Sequence, residues 1–504
     1  MNIRFRGLSR DLSKFLLIPA GMAIASLPVC FLAREWFAIA PLAATAAITL
    51  ALNRLLHWWG KTVEETSLYQ ALICVALGWG LISTIGALPL WLTALSLGTN
   101  APPAVEPFRQ LLNAVFEGFS GFTSAGLTMA ARPSELPTAL QWWRSLMQWV
   151  GGVGVIVLAL AVMEPTQSQY ALYQAEGRET QLRFTVTGTV KRIWKIYIGY
   201  TVFSIVLFRI CGMAWWEALN HGMTAIATGG FSVTDGSMSN YSAVIKLAII
   251  LVMILGSISF GLHDRLLRSR RLSPLWRDRQ HFLLIGLLVV GVVVFAIDNA
   301  SLTGQFAWVD SAFQWVSALS TCGFSSQTLF FLSSSQKVLL SIAMVIGGAA
   351  GSTVGGIKLN RVLARIESIT WRFRRPTLTS RQFVLRRIDG KALKVAQASR
   401  QIEDAAALAL LWVVVITLCV LGLMRLVPTE YGLTDVIFEA SSALGAAGIS
   451  VGITGPSLHW FGKTLIIMLM WMGRLEIFPV LMLLTLPFNA LVQPRRFNIF
   501  AGKK

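Results

Sequence analysis

Four short phrases decide how this sequence is interpreted: Thr123-Ser124-Ala125-Gly126-Leu127-Thr128, Ala227-Thr228-Gly229-Gly230-Phe231-Ser232, Ser320-Thr321-Cys322-Gly323-Phe324-Ser325 and Gly445-Ala446-Ala447-Gly448-Ile449-Ser450. Aligned on the fourth residue, a glycine, each phrase continues with a bulky apolar residue and then a hydroxyl residue. Another hydroxyl residue stands six positions before each glycine, at Ser120, Thr224, Ser317 and Ser442. Recurrence at intervals of about 100 residues indicates four related structural units. A polar, glycine-centred phrase repeated in a hydrophobic chain favours four loops that meet on one axis.

The rest of the chain has the composition of a membrane protein with several spans. Apolar residues make up 55% of its 504 residues, and the mean hydropathy is +0.64. Because lipid offers no partners to backbone amides, the spans must be helices, and irregular backbone must be buried in protein or line water. The four phrases fit that exception. Ten apolar runs predict ten membrane spans, at 15–32, 37–56, 67–98, 138–163, 195–213, 241–262, 281–298, 337–366, 404–426 and 461–488.

The net charge of +19 is concentrated on one side of the predicted membrane. Counted alternately from an inside start, the segments on the inner side hold 33 of the 43 lysines and arginines, which predicts that both termini are cytoplasmic. The basic loops 164–195, 264–280 and 358–402 are therefore expected to contact lipid head groups, and nucleic acid is not needed to explain the charge. The outer side is slightly negative and presents no electrostatic barrier to a cation.

The chain divides into an accessory hairpin and four repeats. Each repeat has an apolar helix, a short amphipathic segment, the glycine phrase and a second apolar helix; the short segments 110–123, 215–227, 309–320 and 434–445 cannot cross about 30 Å of hydrocarbon and must re-enter. The predicted fold is an all-α integral membrane protein, with four fused helix–pore-loop–helix repeats in pseudo-fourfold symmetry around one pore and an N-terminal two-helix hairpin. The predicted boundaries are 1–57 for the hairpin and 58–175, 176–264, 265–375 and 376–504 for the repeats.

Backbone carbonyls of the four phrases are the predicted ion ligands. A dehydrated monovalent cation needs several oxygens that replace its water, and carbonyls supply them without fixed charge. Glycine permits the dihedral angles that turn carbonyls toward an axis. A single copy would also be consistent with a helix C-cap glycine, but four copies between spans favour the filter. The predicted filter residues are Ser124, Ala125, Gly126, Thr228, Gly229, Gly230, Thr321, Cys322, Gly323, Ala446, Ala447 and Gly448.

Acidic residues occur near the start of each re-entrant segment. Helix N-terminal caps are one explanation for them. The other is a ring around the outer mouth of the pore that concentrates cations. The residues concerned are Glu106, Glu117, Glu217, Asp310, Asp435 and Glu439.

Two features interrupt the later spans. The run Gly347-Gly348-Ala349-Ala350-Gly351-Ser352-Thr353-Val354-Gly355-Gly356 lies inside 337–366, and since glycine costs about 1 kcal/mol in a helix interior, the helix is expected to break there. Close helix packing through small residues is the alternative. Arg474 lies inside 461–488, where a charge costs at least ~2.5–3.5 kcal/mol, so it should face water, a carboxylate or carbonyls.

Taken with Gly473-Arg474-Leu475-Glu476-Ile477-Phe478, these motifs resemble the bacterial TrkH/KtrB superfamily of potassium transporters, and the N-terminal hairpin is similar to that of TrkH. The resemblance covers about residues 1–490. It implies a K⁺-translocating subunit in the bacterial inner membrane, a homodimer, and a cytoplasmic TrkA-like nucleotide-binding regulatory ring. It also implies that the glycine run gates the pore below the filter with Lys358 at its cytoplasmic end, and that Arg474 lies in the pore. The implied gate residues are Gly347, Gly348, Gly351, Ser352, Thr353, Gly355, Gly356, Lys358 and Arg474.

The departures from the family pattern, Ser124-Ala125 in the first phrase and Ala446-Ala447 in the fourth, bear on selectivity over sodium. A Na⁺- or H⁺-coupled K⁺ symporter, or a Na⁺-selective pore of the same fold, is therefore the alternative. An enzyme acting on lipid-linked substrates would need acid and base groups on one face, but carboxylates such as Glu117 and Asp264 are dispersed over both. The histidines show no metal-ligand spacing, and no phosphate-binding motif occurs, so nucleotide control must come from another chain.

Overall fold

The computed structural model describes residues 5–60, 68–154, 186–374, 386–393 and 395–492. The first two helices, α1 (Phe5–Ala33) and α2 (Ile39–Trp59), pack against each other as the predicted hairpin. A short 3-10 turn at Trp36–Ala38 joins them, and the Asn53 side chain donates a hydrogen bond to the Ser13 carbonyl, at 2.6 Å. The hairpin therefore precedes the four repeats as a separate helical pair.

The four repeats follow in the predicted order of helix, short helix, loop and helix. In the first repeat these are α3 (Leu68–Gly86), α4 (Leu88–Leu97), α5 (Leu111–Phe122) and α6 (Thr138–Val153), and in the second α7 (Val186–Ile210), α8 (Trp215–Ile226), α9 (Ala243–Ser257) and α10 (Phe260–Ser269). In the third they are α11 (Ser273–Arg277), α12 (Arg279–Thr303), α13 (Trp308–Leu319), α14 (Ser334–Ile346) and α15 (Leu359–Arg374). The fourth has α16 (Val395–Leu423), α17 (Leu433–Gly445), α18 (Trp460–Arg474) and α19 (Phe478–Val492).

The short helices α5, α8, α13 and α17 lie at the centre of the protein. Each has 12 or 13 residues, so at about 1.5 Å per residue each is too short to cross a bilayer. Most of their residues are buried. The prediction of four short helices between longer ones is confirmed, and their carboxyl ends deliver the four phrases to one place.

Among the described residues, seven of the ten predicted spans are long and apolar enough to cross a membrane, if the bent pair of α9 and α10 is taken as one span. Of the other three, 138–163 leaves the described residues after Gly154, while 337–366 and 461–488 are interrupted. The predicted break in 337–366 is confirmed, because α14 ends at Ile346 and α15 begins at Leu359.

Two runs that were predicted as continuous spans are broken instead. Between α9 and α10 the chain turns by 102°, and Ser259 caps α10 by accepting a hydrogen bond from the Leu262 amide. Between α18 and α19, Glu476 and Ile477 both have positive φ, at 63° and 67°. Hydropathy averages over such breaks, because the residues on both sides of them are apolar.

A small β-hairpin was not predicted. Its strands, β1 (Arg386–Ile388) and β2 (Lys391–Leu393), pair in antiparallel register with Arg387 opposite Ala392. The turn Asp389-Gly390 has positive φ at both residues, 52° and 77°, the conformation that an Asp-Gly hairpin turn requires. The predicted domain boundary between 264 and 265 falls inside α10, and the boundaries after 175 and 375 lie outside the described residues.

Candidate functional site: a four-loop ring

The four phrase glycines form a closed ring. A Cβ atom added to any of them would lie closer than 3.0 Å to the carbonyl oxygen of the residue that precedes the next glycine. These contacts run in cyclic order: Gly126 to the Gly229 carbonyl, Gly230 to Cys322, Gly323 to Ala447, and Gly448 back to Ala125. All four glycines have positive φ, between 78° and 93°. The ring therefore excludes any side chain at these positions, both by conformation and by space.

Each short helix ends in the same Schellman motif just before its glycine. The residue two positions before the glycine has φ between 47° and 55°, and the next amide donates back to the carbonyl six positions before the glycine. That bond is 2.9 Å long in all four copies: Ala125 to Ser120, Gly229 to Thr224, Cys322 to Ser317 and Ala447 to Ser442. The left-handed residue two before the glycine, at the C′ position of the Schellman motif and here called the cap residue, thus ends the turn. The glycine itself is not part of the helix end and forms the ring contact with the next repeat.

The carbonyls between the cap and the glycine are the candidate ligands. Because positive φ alternates with negative φ along Ser124-Ala125-Gly126 and its counterparts, successive carbonyls are turned from their helical direction. Among the described residues, no donor reaches the carbonyls of Ala125, Cys322 and Ala447. The Gly229 carbonyl accepts a 2.5 Å hydrogen bond from Gln148 Nε2, while Gln148 Oε1 accepts from the Phe231 amide at 2.9 Å. Gln148, on α6, therefore clamps the second loop, and the ring is not chemically symmetric.

A cavity of about 350 Å³, here called the vestibule, lies at one end of the ring. All four ring glycines line it, together with the hydroxyl residues two positions later, Thr128, Ser232, Ser325 and Ser450. An ion in this cavity would meet the ring before anything beyond it. The vestibule is therefore the mouth of the candidate path.

Four buried residues, here called the braces, hold the loops in place. Each brace stands nine positions before a ring glycine. Its side chain contacts the hydroxyl of the residue two positions after that glycine and the amide of the residue three positions after it. The contacts are Glu117 with Thr128 Oγ1 and Met129 N (both 2.8 Å), His221 with Ser232 Oγ (3.1 Å) and Val233 N (3.2 Å), Gln314 with Ser325 Oγ (2.9 Å) and, with its amide turned, Ser326 N (3.0 Å), and Glu439 with Ser450 Oγ (2.7 Å) and Val451 N (3.1 Å).

Sequence reasoning missed the braces, although the signal was present. Alignment on the glycine places Glu, His, Gln and Glu at one position of the four short amphipathic helices. Glu117 and Glu439 were expected at helix starts or around the outer mouth, and His221 was given no role. All three side chains are fully buried, and neither glutamate lies at the start of its helix, so the prediction of helix N-terminal caps is wrong for both.

The remaining acidic residues of the predicted ring also have partners. Asp310 pairs with Lys246 at 2.8 Å, and Asp435 pairs with Lys337 at 2.6 Å. Glu217 accepts a hydrogen bond from the Tyr241 hydroxyl at 2.8 Å, and Glu106 pairs with Arg109 at 3.3 Å. The contacts of Asp310, Asp435 and Glu217 join neighbouring elements, whereas the exposed pair of Glu106 and Arg109 lies within one 3-10 turn.

One brace is half of a buried ion pair. Arg144 Nε donates to Glu117 Oε1 at 2.7 Å, and the two side chains are 1% and 0% exposed. Arg144 also donates to the Ser232 carbonyl and lies 4.2 Å from the centre of the Phe231 ring. This cation joins the first loop to the second.

We expect Glu117→Ala to lower the free energy of unfolding by about 3–5 kcal/mol, because Arg144 would stay buried without its carboxylate. Thermal unfolding of the purified chain in detergent micelles measures the change. Glu106→Ala is the matched control, since its pair with Arg109 is 54% and 40% exposed and should contribute at most about 1 kcal/mol. Equal midpoints for the two variants would contradict the proposed role of the buried pair.

The glycine-rich loop 347–358 lies at the other end of the ring from the vestibule. Gly355 N donates to Thr321 Oγ1 at 2.9 Å, and Thr353 Oγ1 lies 3.3 Å from Thr228 Oγ1. Thr353 Oγ1 also donates to the carbonyls of Ile226 and Gly256, at 3.1 and 3.0 Å. The loop thus contacts the cap residues that precede the ring glycines. Its own positive-φ residues are Gly347, Gly351, Gly356 and Lys358, and Ser352 Oγ donates to the Ala349 carbonyl at 2.6 Å.

Arg474, the last residue of α18, is directed at carbonyl oxygens. It donates to the Gly151 carbonyl, to Gly152 at 3.0 Å and to Thr353 at 3.2 Å. Gly151 and Gly152 lie in the last turn of α6, where the dipole favours a cation, and the Gly151 carbonyl also accepts from the Gly154 amide at 3.0 Å. The prediction that this arginine faces carbonyls, a carboxylate or water is confirmed, and it fastens the loop 347–358 to α6.

An ion-pair cluster holds the far end of the same loop. Lys358 Nζ lies 3.1 Å from Glu476 Oε1, and Arg361, on α15, contacts the other oxygen of Glu476. Glu476 belongs to the break between α18 and α19. The middle of the loop, at Thr353, and its carboxyl end, at Lys358, are therefore tied to Arg474 and Glu476.

A second polar link joins the loop to the β-hairpin. Gln280 Nε2, at the start of α12, donates to Asp389 Oδ2 in the hairpin turn at 2.7 Å, and Gln280 Oε1 accepts from the Ala350 amide at 3.1 Å. Arg279, beside it, pairs with Glu367 on α15 at 2.7 Å. The start of α12 thus contacts both the hairpin and the loop under the ring.

The neighbouring His281 supports the bend between α9 and α10. Its Nε2 accepts from the Ser259 amide at 3.2 Å, so its Nδ1 donates to Asp278 Oδ1 at 2.7 Å. Burial by itself would raise the pKa of the Asp278 carboxyl, but His281 and Arg265 outweigh it and hold that pKa well below its ordinary value. Asp278 therefore stays ionised and fixes the imidazole that caps the bend.

Several known proteins are similar to this chain over most of its length. The chain is 31% identical to an uncharacterized cation transporter of Methanocaldococcus jannaschii, with 85% of each chain covered. It is 27% identical to the Trk system potassium uptake protein TrkH of Escherichia coli K12, covering 96% of this chain and 99% of that protein. The crystal structure of the potassium transporter TrkH from Vibrio parahaemolyticus superposes with a TM-score of 0.80 at 26% identity, covering 96% of this chain and all of that one. Residues 40–493 match the family model described as TrkH, cation transport protein, and the chain therefore belongs to the TrkH family of cation transport proteins.

Proposed function

We propose that this chain is the potassium-translocating membrane subunit of a Trk-type uptake system, with K⁺ passing through the four-loop ring. The observation that carries the proposal is the cyclic contact of the four ring glycines with the carbonyl before the next glycine, at the floor of one cavity. A ring of main-chain oxygens can replace the hydration shell of a monovalent cation. The names of the related proteins from Escherichia coli and Vibrio parahaemolyticus support K⁺ as the transported ion.

The filter in this proposal consists, in each repeat, of the carbonyls of the cap residue, the residue after it and the ring glycine. The carbonyl ends of α5, α8, α13 and α17 point into the same region, where their partial negative charge favours a cation. The Schellman motifs and the braces fix the loops from both sides, so little reorganisation is needed when an ion replaces its water. No catalytic group is part of this function, which agrees with membership of a transport family.

The gate in this proposal is the loop 347–358 together with Arg474. The loop lies against the cap residues Thr228 and Thr321, so it occupies the way out of the ring. The Arg474 guanidinium adds positive charge at the same place and fastens the loop to α6. Opening requires these hydrogen bonds and the Lys358–Glu476 ion pair to be released.

Deleting Gly348 to Gly351 is expected to raise the basal leak of rubidium from loaded proteoliposomes, because the shortened loop cannot reach across the ring. The loss of the Phe260 amide bond to the Gly351 carbonyl, 2.9 Å long, contributes to this opening. Leak is measured as loss of trapped tracer in the absence of any partner protein. A deletion variant that folds, as judged by size-exclusion chromatography, and stays tightly closed would contradict the gate.

Rubidium uptake by vesicles that contain the purified chain tests the proposed function. We expect uptake that follows the rubidium gradient, is suppressed by excess K⁺ and is little affected by excess Na⁺. Uptake that requires a Na⁺ or H⁺ gradient would instead indicate a coupled symporter, and suppression by Na⁺ equal to that by K⁺ would indicate a sodium-conducting pore. Absence of uptake by both the wild type and the variant that lacks Gly348 to Gly351, each correctly folded, would refute the proposal.

The partners and the location follow from the same proposal. We place the chain in the bacterial inner membrane as a homodimer with both termini in the cytoplasm, where its basic segments contact lipid and a TrkA-like nucleotide-binding ring. The sequence carries no phosphate-binding motif, so nucleotide sensing is assigned to that ring. The β-hairpin and α15 are the described elements that join this side of the chain to the gate.

A further inference from the structure

The four braces make the same contacts but do not carry the same charge. His221 and Gln314 are uncharged in their buried positions next to serine hydroxyls and amides. Glu117 is matched by the buried cation of Arg144. Glu439, which is fully buried, has no basic side chain within ion-pair distance among the described residues. The fourth quarter of the ring therefore differs from the other three in net charge.

Burial disfavours the charged form of Glu439, and the hydrogen-bond donors around the carboxylate oppose that effect. Four donors converge on the carboxylate: the amides of Val451 and Thr454, each at 3.1 Å, and the hydroxyls of Ser450 and Thr454. Hydrogen bonds of this kind favour the charged form, and two of them come from amides that cannot act as acceptors. Ser450, which donates at 2.7 Å, itself lines the vestibule, so a single hydroxyl separates the carboxylate from the cavity.

We propose that Glu439 is a positioning residue that sets the apparent affinity for the transported cation. Its negative charge acts through Ser450 on cations in the vestibule, and because the charge is buried, solvent screens it less than a surface acid. Among the described residues that line the vestibule, Asp235 is the one carboxylate, and both of its oxygens accept hydrogen bonds from Ser134. The proposal rests on the cation path proposed above and extends it to a residue that does not touch the ion.

The chain itself supplies the matched control. At the equivalent position of the third repeat, Gln314 braces its loop without charge, its amide 2.9 Å from Ser325 Oγ and able to accept from the amides of Ser326 and Gln327. Glu439→Gln removes the charge and keeps one acceptor oxygen for Ser450 and Thr454, at the cost of the hydrogen bond from the Val451 amide. Gln314→Glu makes the opposite change in the neighbouring repeat.

The experiment is rubidium uptake by proteoliposomes over a range of rubidium concentrations, with the wild type, E439Q, Q314E and the double variant. We expect E439Q to raise the half-saturating concentration by roughly tenfold with little change in maximal rate, the effect of one partly screened charge. Q314E should lower it, and the double variant should return toward the wild type. A merely structural role would lower the maximal rate instead and would not be rescued by moving the charge to the next repeat.

The outcomes separate this inference from the proposed function. If the wild type takes up no rubidium, the proposed function is wrong. If the wild type transports and both E439Q and Q314E leave the half-saturating concentration unchanged, the charge of the brace does not affect cation binding. This inference then fails, and the proposed function stands. Should E439Q not fold, Q314E decides the matter by itself, since an unchanged half-saturating concentration in that variant also overturns the inference.

Discussion

Replacing the ring glycine Gly448 by alanine is expected to lower rubidium uptake at least about tenfold and to remove discrimination against Na⁺. The residue has φ of 78°, where a side chain costs about 1–2 kcal/mol, and a tenfold effect needs only about 1.4 kcal/mol. The new methyl group would also collide with the Ala125 carbonyl and with Gly126, 2.7 Å away, across the ring. One substitution therefore displaces carbonyls that belong to two repeats.

A matched control separates the collision from the backbone conformation. Gly304, at the end of α12, has φ of 71°, but a Cβ atom added there would have no other atom within 4 Å. Gly304→Ala introduces comparable backbone strain away from the ring and should transport at a rate close to that of the wild type. Uptake rates per folded molecule, with sodium competition, give the comparison. Normal selectivity in Gly448→Ala would rule out the ring as the filter.

The second large effect is expected from Arg474→Ala, which should increase ion flux at least about tenfold when no partner protein is present. Two causes act together: a positive charge leaves the proposed path, and the loop 347–358 loses its connection to α6 through Gly152 and Thr353. A unit charge near a conduit of low dielectric is sufficient for a change of this size. Efflux of rubidium from loaded liposomes measures it directly.

Arg474→Lys distinguishes the two causes. Lysine keeps the charge, but its single ammonium group cannot reproduce the planar set of donors that reaches three carbonyls. We expect a smaller increase in flux than in Arg474→Ala, because only the connection is weakened. The exposed Arg132, whose side chain is 66% accessible, provides the control substitution to alanine. If flux through Arg474→Ala equals that of the wild type, the arginine does not restrain the path.

The arrangement of repeats could be predicted because each of its sequence signals depends on residues that are close together in the chain. The four phrases, the short helices before them and the glycine-rich break each depend on residues within about one helical turn of one another, and such signals survive in a single sequence. The hydroxyl residues six positions before the glycines were noticed for their side chains. The structure uses their backbone carbonyls in all four copies, whereas the hydroxyls of Thr224 and Ser317 donate to carbonyls and those of Ser120 and Ser442 have no partner among the described residues.

The features that escaped prediction depend on contacts between repeats. Arg144 lies on α6, yet two of its contacts are in the second loop, and Gln148 clamps Gly229 from the same helix. The acidic residue Asp310 was read as part of a pore mouth, but its partner Lys246 comes from the preceding repeat. Spacing along the chain carries no information on such pairs, and an amphipathic pattern cannot tell a helix cap from a buried brace.

The four loops are covalently parts of one polypeptide, and this has a consequence for how the path can change over time. In a channel built from four identical subunits, every substitution appears on all sides at once. Here Glu117, His221, Gln314 and Glu439 have diverged individually while making corresponding contacts. Selection can adjust a single quadrant and leave its three counterparts untouched, a freedom that a homotetramer encoded by one gene does not have.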